Sequence, residues 1–149
     1  MIKLSTGAFE SMLSTASFAD SFANGVLCIY SGTQPSSADG VETGTLLAEV
    51  NVDAADFTPG GGVGINFAEA VGRVIEKSST EVWRGVFVED GTMGWFRLYD
   101  NNKVTGESSS AVRMDGSIGT SRTDIILKST QATQNGSITF DEFKLDFSI

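Results

Sequence analysis

The sequence predicts a mainly β protein, an antiparallel β-sandwich of the jelly-roll kind with a short helical segment at its N-terminus. Ser, Thr and Gly gather in short clusters between apolar stretches, a spacing typical of many short strands joined by polar turns. Helical periodicity stands out only near the N-terminus. A chain of 149 residues fits one globular domain. We therefore expect a helical arm over residues 1–24 and a sandwich over residues 25–149.

Four apolar residues near the N-terminus repeat at helical spacing, namely Phe9, Met12, Leu13 and Ala16. Thr6 is a suitable N-cap, Phe18 and Phe22 follow four residues apart, and Asn24 offers a left-handed stop. The pattern predicts one broken helix or two short helices over residues 6–24. Two alternatives stay open: the helical segment packs on its own sandwich, or it is an arm that docks on a neighbouring subunit.

From residue 25 onward the apolar period changes to two, which predicts strands. VLCIYS (26–31) is almost wholly apolar and predicts a central strand, and TLLAEVNVD (45–53) alternates strictly. TEVWRGVFVED (80–90) is the strongest strand pattern. GTMG (91–94) predicts a turn into WFRLYDNN (95–102) as its hairpin partner. INFAEA, GRVIEK, SAVRMDGSIG and RTDIILKS predict further strands.

The C-terminal segment SITFDEFKLDFSI carries apolar residues on both parities of a strand. Because one strand cannot bury both parities on one face, we expect a β-bulge near Asp141 and Glu142 that restores the register. We also expect this end of the chain to be paired and docked. The two apolar sets are Ile138 and Phe140, and then Phe143, Leu145, Phe147 and Ile149.

The composition argues against several classes of chemistry. The chain has no histidine, which excludes Ser-His-Asp and Cys-His nucleophiles and histidine-ligated metals. Its formal net charge of −9 disfavours binding to nucleic acid and to anionic membranes. No apolar run approaches the about 20 residues of a membrane span. The start of the chain lacks the apolar core of a secretion signal, so we expect a product of the cytoplasm. Cys28, the single cysteine, predicts a small buried side chain.

No motif completes a catalytic or cofactor site. PGGGVG (59–64) lacks the Gly-Lys-Ser/Thr ending that holds a nucleotide phosphate. DNNKVTG (100–106) begins like a calcium loop, but Val104 stands where an oxygen ligand is needed. We therefore expect no enzyme, no cofactor and no metal. Four aromatic residues could instead form a sugar-stacking surface, which keeps a carbohydrate-binding module as an alternative: Tyr30, Trp83, Trp95 and Tyr99.

Several blocks of the sequence resemble a family of small virion structural proteins from tailed bacteriophages and prophages. These are GVLCIYSGTQPSSADG (25–40), TGTLL (43–47), EVWRG (81–85), GWFRLYD (94–100) and RMDGS (113–117), with LSTG (4–7) before them. The resemblance covers most of the chain, and it implies a structural role in the virion. It supplies no active-site residue. The acidic ending DEFKLDFSI departs from the family pattern.

Within that resemblance we expect a capsid-decorating or cement protein that stabilises the particle by non-covalent contacts, with the major capsid protein as its partner. The alternative is a tail, connector or fibre-base protein. We expect a homo-oligomer located in the virion, with a trimer as a candidate form. The predicted contact residues lie in the helical arm and in the following turn: Phe9, Met12, Leu13, Phe18 and Phe22, and then Ser31, Gly32, Thr33, Gln34 and Pro35.

Overall fold

A computed structural model describes residues 1–147 and shows a mainly β chain with antiparallel sheets, as predicted. Two short helices precede most of the strands. The elements are β1 (Lys3–Leu4), α1 (Thr6–Ser14), α2 (Phe18–Ser21), β2 (Val26–Ser31), β3 (Leu46–Val52), β4 (Val74–Glu76), β5 (Trp83–Val86), β6 (Gly91–Tyr99), β7 (Arg113–Gly119), β8 (Ile125–Ile126), β9 (Gln131–Ala132), β10 (Ser137–Phe140) and β11 (Lys144–Asp146).

Nine strands form one hydrogen-bonded sheet. Its main path is β1-β7-β6-β2-β3-β5-β10, with β9 paired to β6 and β8 paired in parallel to β7. Strands β4 and β11 form a separate two-stranded sheet. The predicted central strand is β2, which pairs with β3 on one side and β6 on the other. Its residues 26–29 are fully buried, because both faces of this strand are covered.

The larger hydrophobic core lies on one face of the sheet and is rich in aromatic rings. Phe143, just beyond β10, lies 5.9 Å from Phe96 of β6 and 5.3 Å from Trp83 of β5 between ring centroids. The segment that follows β10 therefore places Phe143 in the core, next to rings from β5 and β6. Phe67 joins the same cluster with its ring 5.3 Å from Trp83.

The N-terminal segment forms two short helices, which is one of the two arrangements that the sequence predicted. The N-cap of α1 is Ser5 rather than Thr6, since the Ser5 hydroxyl accepts from the Ala8 amide at 3.1 Å and donates to the Ala111 carbonyl at 2.7 Å. A hydroxyl one residue earlier thus both caps the helix and ties it to the strand region before β7. Asn24 adopts the predicted left-handed conformation, with φ of 54°.

Burial corrects part of the predicted contact surface. Phe18 and Phe22 are 9% and 0% exposed, and both belong to the core of the chain itself. The Phe22 ring is therefore unavailable to a partner, while Phe18, which packs against Phe22 and Phe67, keeps only a small exposed edge. Phe9 and Leu13 of α1 remain 51% and 82% exposed. The helical segment is thus partly core and partly surface.

The segment GTMG (91–94) is not a turn, and β6 is not a hairpin partner of β5. These residues begin β6, which pairs with β2 and β7. Gly94 is needed for a close approach of two backbones, since a Cβ there would lie 1.8 Å from the Gly32 carbonyl oxygen. A glycine that permits close packing has the same sequence signature as one that permits a turn.

The expected β-bulge near Asp141 and Glu142 is also wrong. Strand β10 ends at Phe140, and the chain leaves the large sheet to pair with β4 as β11. Ile138 and Phe140 therefore belong to a strand of the large sheet, and Leu145 belongs to a strand of the small one. No bulge is needed, because one strand does not have to bury both sets. Phe143 is buried and Phe147 is 43% exposed, while Ile149 lies outside the described residues.

The substitution Phe22→Ala should lower the free energy of unfolding by about 3–5 kcal/mol, because it leaves a cavity in the core under α2. The matched control Phe9→Ala removes a half-exposed ring and should change it by about 0.5 kcal/mol or less. Urea denaturation followed by tryptophan fluorescence measures both. If Phe22→Ala lowered the free energy of unfolding as little as the control does, Phe22 would not be part of the folding core.

Candidate functional site

A long loop, residues 32–45, crosses the second face of the sheet and covers a polar interior. Three buried charged side chains from β6 and β7 lie on this face, together with a small aromatic cluster from β2 and β6. The charged residues are Arg97, Arg113 and Asp115, and the cluster comprises Val26, Cys28, Tyr30, Trp95 and Tyr99. Alternation along the strands explains the set, since every second residue points to this face.

Arg97 and Asp115 form a bidentate ion pair across neighbouring strands. Arg97 Nε lies 2.6 Å from Asp115 Oδ1, and Nη2 lies 2.8 Å from Oδ2. Both side chains are fully buried. The remaining nitrogen, Nη1, donates to the Gly40 carbonyl at 2.9 Å and to Glu42 Oε1 at 3.0 Å. One guanidinium therefore joins the sheet to the loop that covers it.

Glu42 is the acceptor through which the loop is held to the sheet. Tyr99 donates its hydroxyl to Glu42 Oε1 at 2.7 Å, and the Gly106 amide donates to Oε2 at 3.0 Å. Burial works to raise the pKa of Glu42, but these hydrogen bonds and the charge of Arg97 hold it below its usual value. The Tyr30 and Tyr99 hydroxyls lie 3.0 Å apart, which extends the network toward β2.

Two further buried groups lie on this face. Burial raises the pKa of the Cys28 thiol to about 12, so this side chain stays neutral. Arg113 is less fully bonded: its Nη1 lies 3.4 Å from the carbonyls of Ala38 and Gly40, and its Nε and Nη2 have no partner among residues 1–147. Burial and the neighbouring Arg97 lower the pKa of Arg113. Loop 32–45 covers this network and accepts hydrogen bonds from Arg97 and Arg113. The network therefore holds the loop in place on the sheet.

The same loop also holds the N-terminal segment. Asp39 accepts from the Thr6 amide at 2.8 Å and from the Thr6 hydroxyl at 2.7 Å. Lys3 Nζ donates to the Pro35 carbonyl at 3.0 Å, and Gln34 donates to the Met1 carbonyl at 2.9 Å. The structure thus brings together the two predicted contact regions, the helical segment and the SGTQP turn, which the sequence alone leaves separate.

Only part of the SGTQP turn is available to a partner. Gly32 and Thr33 are exposed, while Ser31 and Gln34 are half-buried. Pro35 is buried, which corrects its prediction as a contact residue. Its carbonyl is engaged by Lys3, so this residue serves the internal seam between loop and N-terminus.

An open apolar groove of about 300 Å³ lies beside α1. Met12, Phe18 and Phe147 contribute side chains to it, and Leu13 stands exposed next to Met12 on α1. Arg73 is the one charged residue in its lining, which comprises Met12, Phe18, Ala70, Gly72, Arg73, Val74, Ile75 and Phe147. Sequence reasoning found Met12 and Phe18 by their helical spacing. It missed the contribution of residues 70–75, because AVGRVI carries no pattern that indicates a groove.

The tryptophans do not form a sugar-stacking surface. Trp83 and Trp95 are both 0% exposed, and Tyr30 and Tyr99 are 7% and 0% exposed. Tyr30 and Trp95 stack on each other with ring centroids 4.6 Å apart. These four aromatic residues are therefore packing groups, and the alternative of a carbohydrate-binding module loses the residues on which it depended.

No cluster of cysteine and carboxylate side chains within residues 1–147 has the arrangement to hold a metal ion. No helix in this described part is long and apolar enough to span a membrane. No protein-family model matches the chain, and neither a curated protein nor a solved structure matches it.

The substitution Glu42→Gln should lower the free energy of unfolding at pH 7 by about 1–3 kcal/mol, because Arg97 loses a buried charged acceptor. Since the folded pKa of Glu42 lies below its ordinary 4.5, its contribution is present above that pH. The difference between wild type and variant should shrink as pH falls through the folded pKa.

Urea denaturation between pH 3 and pH 7 measures this difference. Glu107→Gln is the control, since it makes the same charge change at an exposed position next to Gly106, whose amide donates to Glu42. A gap between wild type and Glu42→Gln that widens at low pH would contradict the assigned role of the carboxylate.

Proposed function

We propose that this chain is a structural protein of a tailed-phage virion that decorates the capsid and cements it through non-covalent contacts. The observation that carries the proposal is the apolar groove beside α1, with its exposed neighbours Phe9 and Leu13. Exposed apolar surface of this kind marks interaction sites on otherwise soluble proteins. The resemblance of the sequence blocks to virion proteins supplies the class of partner.

The groove offers a partner both apolar area and a charge signature. Phe9, Met12 and Leu13 share one side of α1, because residues three and four apart are neighbours on a helix. Asp20 and Glu69 line an adjoining depression that shares Phe18, Ala70 and Ile75 with the groove. Because Arg73 lines the groove itself, a capsid segment fits this surface when it inserts an apolar side chain into the groove and places a basic residue over the adjoining acidic depression.

The mechanism is stabilisation by binding. A protein that binds the assembled shell but not its dissociated subunits lowers the free energy of the shell by mass action. A specific contact of this kind buries about 1,200–2,000 Å² in total. We further propose that the large sheet folds over its core as a two-layer sandwich, which would give the contact surface a rigid support. The ring contact between Phe96 and Phe143 supports this arrangement.

The copy number of the chain in purified particles tests the proposal directly. Quantitative mass spectrometry against the major capsid protein should give a ratio near one or a simple fraction of one. A few to a few dozen copies per particle would favour the alternative of a tail, connector or fibre-base protein. Absence from particles would contradict both structural roles.

The substitution Leu13→Glu should reduce the binding of the purified protein to particles that lack it by about tenfold or more. The reason is that an exposed leucine contributes about 1.5 kcal/mol or more when buried, and a buried carboxylate adds a penalty. Val104→Glu is the matched control, because this valine is exposed and lies in the segment after β6 rather than on α1. Co-sedimentation with the particles measures both variants, and equal binding by the two would refute the α1 face beside the groove as the contact site.

A further inference from the structure

Strand β10 (Ser137–Phe140) is the terminal strand of the large sheet. It pairs with β5 alone along the sheet path. Within residues 1–147, no backbone hydrogen bond joins β10 to a strand other than β5. Its outer N–H and C=O groups therefore face away from the sheet, and such an edge is a template for pairing with another chain.

This edge is short, but it lacks the charges, prolines and bulges that usually protect an edge strand. Its four residues Ser-Ile-Thr-Phe include no charged side chain and no proline, and the pairing with β5 runs without a bulge. Ser137 and Thr139 are exposed, and Ile138 is half-buried. The opposite end of the sheet differs, since the edge strand β1 carries Lys3 and is only two residues long.

In and beside the neighbouring strand β5, an exposed stripe of three valines, interrupted by the exposed Arg84, lies beside the open edge. Val82, Val86 and Val88 are 46%, 41% and 52% exposed, while Trp83 between them is fully buried. Ser137 is paired with Val86 and Thr139 with Arg84, so the exposed side chains of β10 lie on the same face as the stripe. The sequence predicts this alternation but not which set of β5 residues is buried.

We propose that two copies of this chain associate by antiparallel pairing of their β10 edges. Pairing around a two-fold axis at Ile138 places Ile138 opposite Ile138 and Ser137 opposite Thr139 of the other copy. Residues opposite each other then point to the same face in both copies, which keeps the inward and outward alternation intact. The strand is thus self-complementary, and this argument is independent of the proposed virion role.

The charged residues next to β10 are compatible with a second copy of this chain as the partner strand. In this register Asp141 falls opposite Asn135, and Glu142 falls opposite Gln134, so that no like charges meet across the pair. Each chain nevertheless carries −9, and the two copies repel over longer distances. Added salt screens that repulsion and therefore strengthens the dimer. A four-residue edge is small, so we expect a dissociation constant between about 1 μM and 1 mM.

Sedimentation equilibrium of the full chain up to about 1 mM tests the pairing, because at that concentration even a weak dimer is half formed. We expect a monomer–dimer equilibrium that shifts to dimer at high salt. Hydrogen exchange of the β10 amides should slow as the protein concentration rises. A monomer throughout this range would overturn the proposal, and so would a trimer, since two-fold pairing closes at two copies.

The variant Thr139→Asp should weaken the dimer by about tenfold or more, because it places a carboxylate in the paired edge of both copies. Val63→Asp makes the same charge change at another exposed position and should leave the dimer nearly unchanged. Both residues are exposed, so the fold is kept, and circular dichroism checks this. Equal weakening by the two variants would mean that net charge alone governs association and would overturn the edge pairing.

Discussion

The buried ion pair between Arg97 and Asp115 is the constraint on which the second face of the sheet depends. Each charge is tolerable in the interior only because the other meets it in bidentate geometry. The free Nη1 of Arg97 then requires acceptors, and loop 32–45 supplies them through Gly40 and Glu42. A long polar loop thereby acquires one fixed position over the sheet. The buried cation and the buried side chains of Pro35 and Ala38 together hold the loop on the sheet.

The position of α1 follows from that loop. Asp39, three residues before Glu42, binds Thr6 at the start of α1, and Ser5 ties the same turn to Ala111. Gly7 permits this contact, since a Cβ there would lie 2.2 Å from the Ser110 carbonyl oxygen. The groove beside α1 therefore owes its geometry to a chain of polar contacts that begins at Arg97. Removal of Glu42 can disturb a surface that it never touches.

The sequence predicted elements whose signal is local and missed those that depend on distant partners. Apolar β2, the helical spacing of α1 and the left-handed Asn24 are properties of short segments, and all three were predicted correctly. Gly94 of GTMG lies against Gly32, which is more than sixty residues away in the sequence. The close approach of these two backbones could therefore not be predicted from the local sequence. The same holds for the C-terminal segment, whose second apolar parity belongs to a pairing with β4. Of the candidate site, the sequence predicted the side chains of α1 but not the part of the groove that residues 70–75 form.

The distribution of charge explains why two particular surfaces are suited to association. Glu42 and Asp115 balance Arg97 and Arg113 beneath the loop, so the interior network is neutral. Subtracting these pairs from 10 basic and 19 acidic residues leaves 8 against 17, and the whole −9 lies on the rest of the chain. Approach of any acidic partner to that exterior is repulsive. The groove beside α1 and the uncharged edge of β10 are places where apolar or backbone contacts can offset this repulsion.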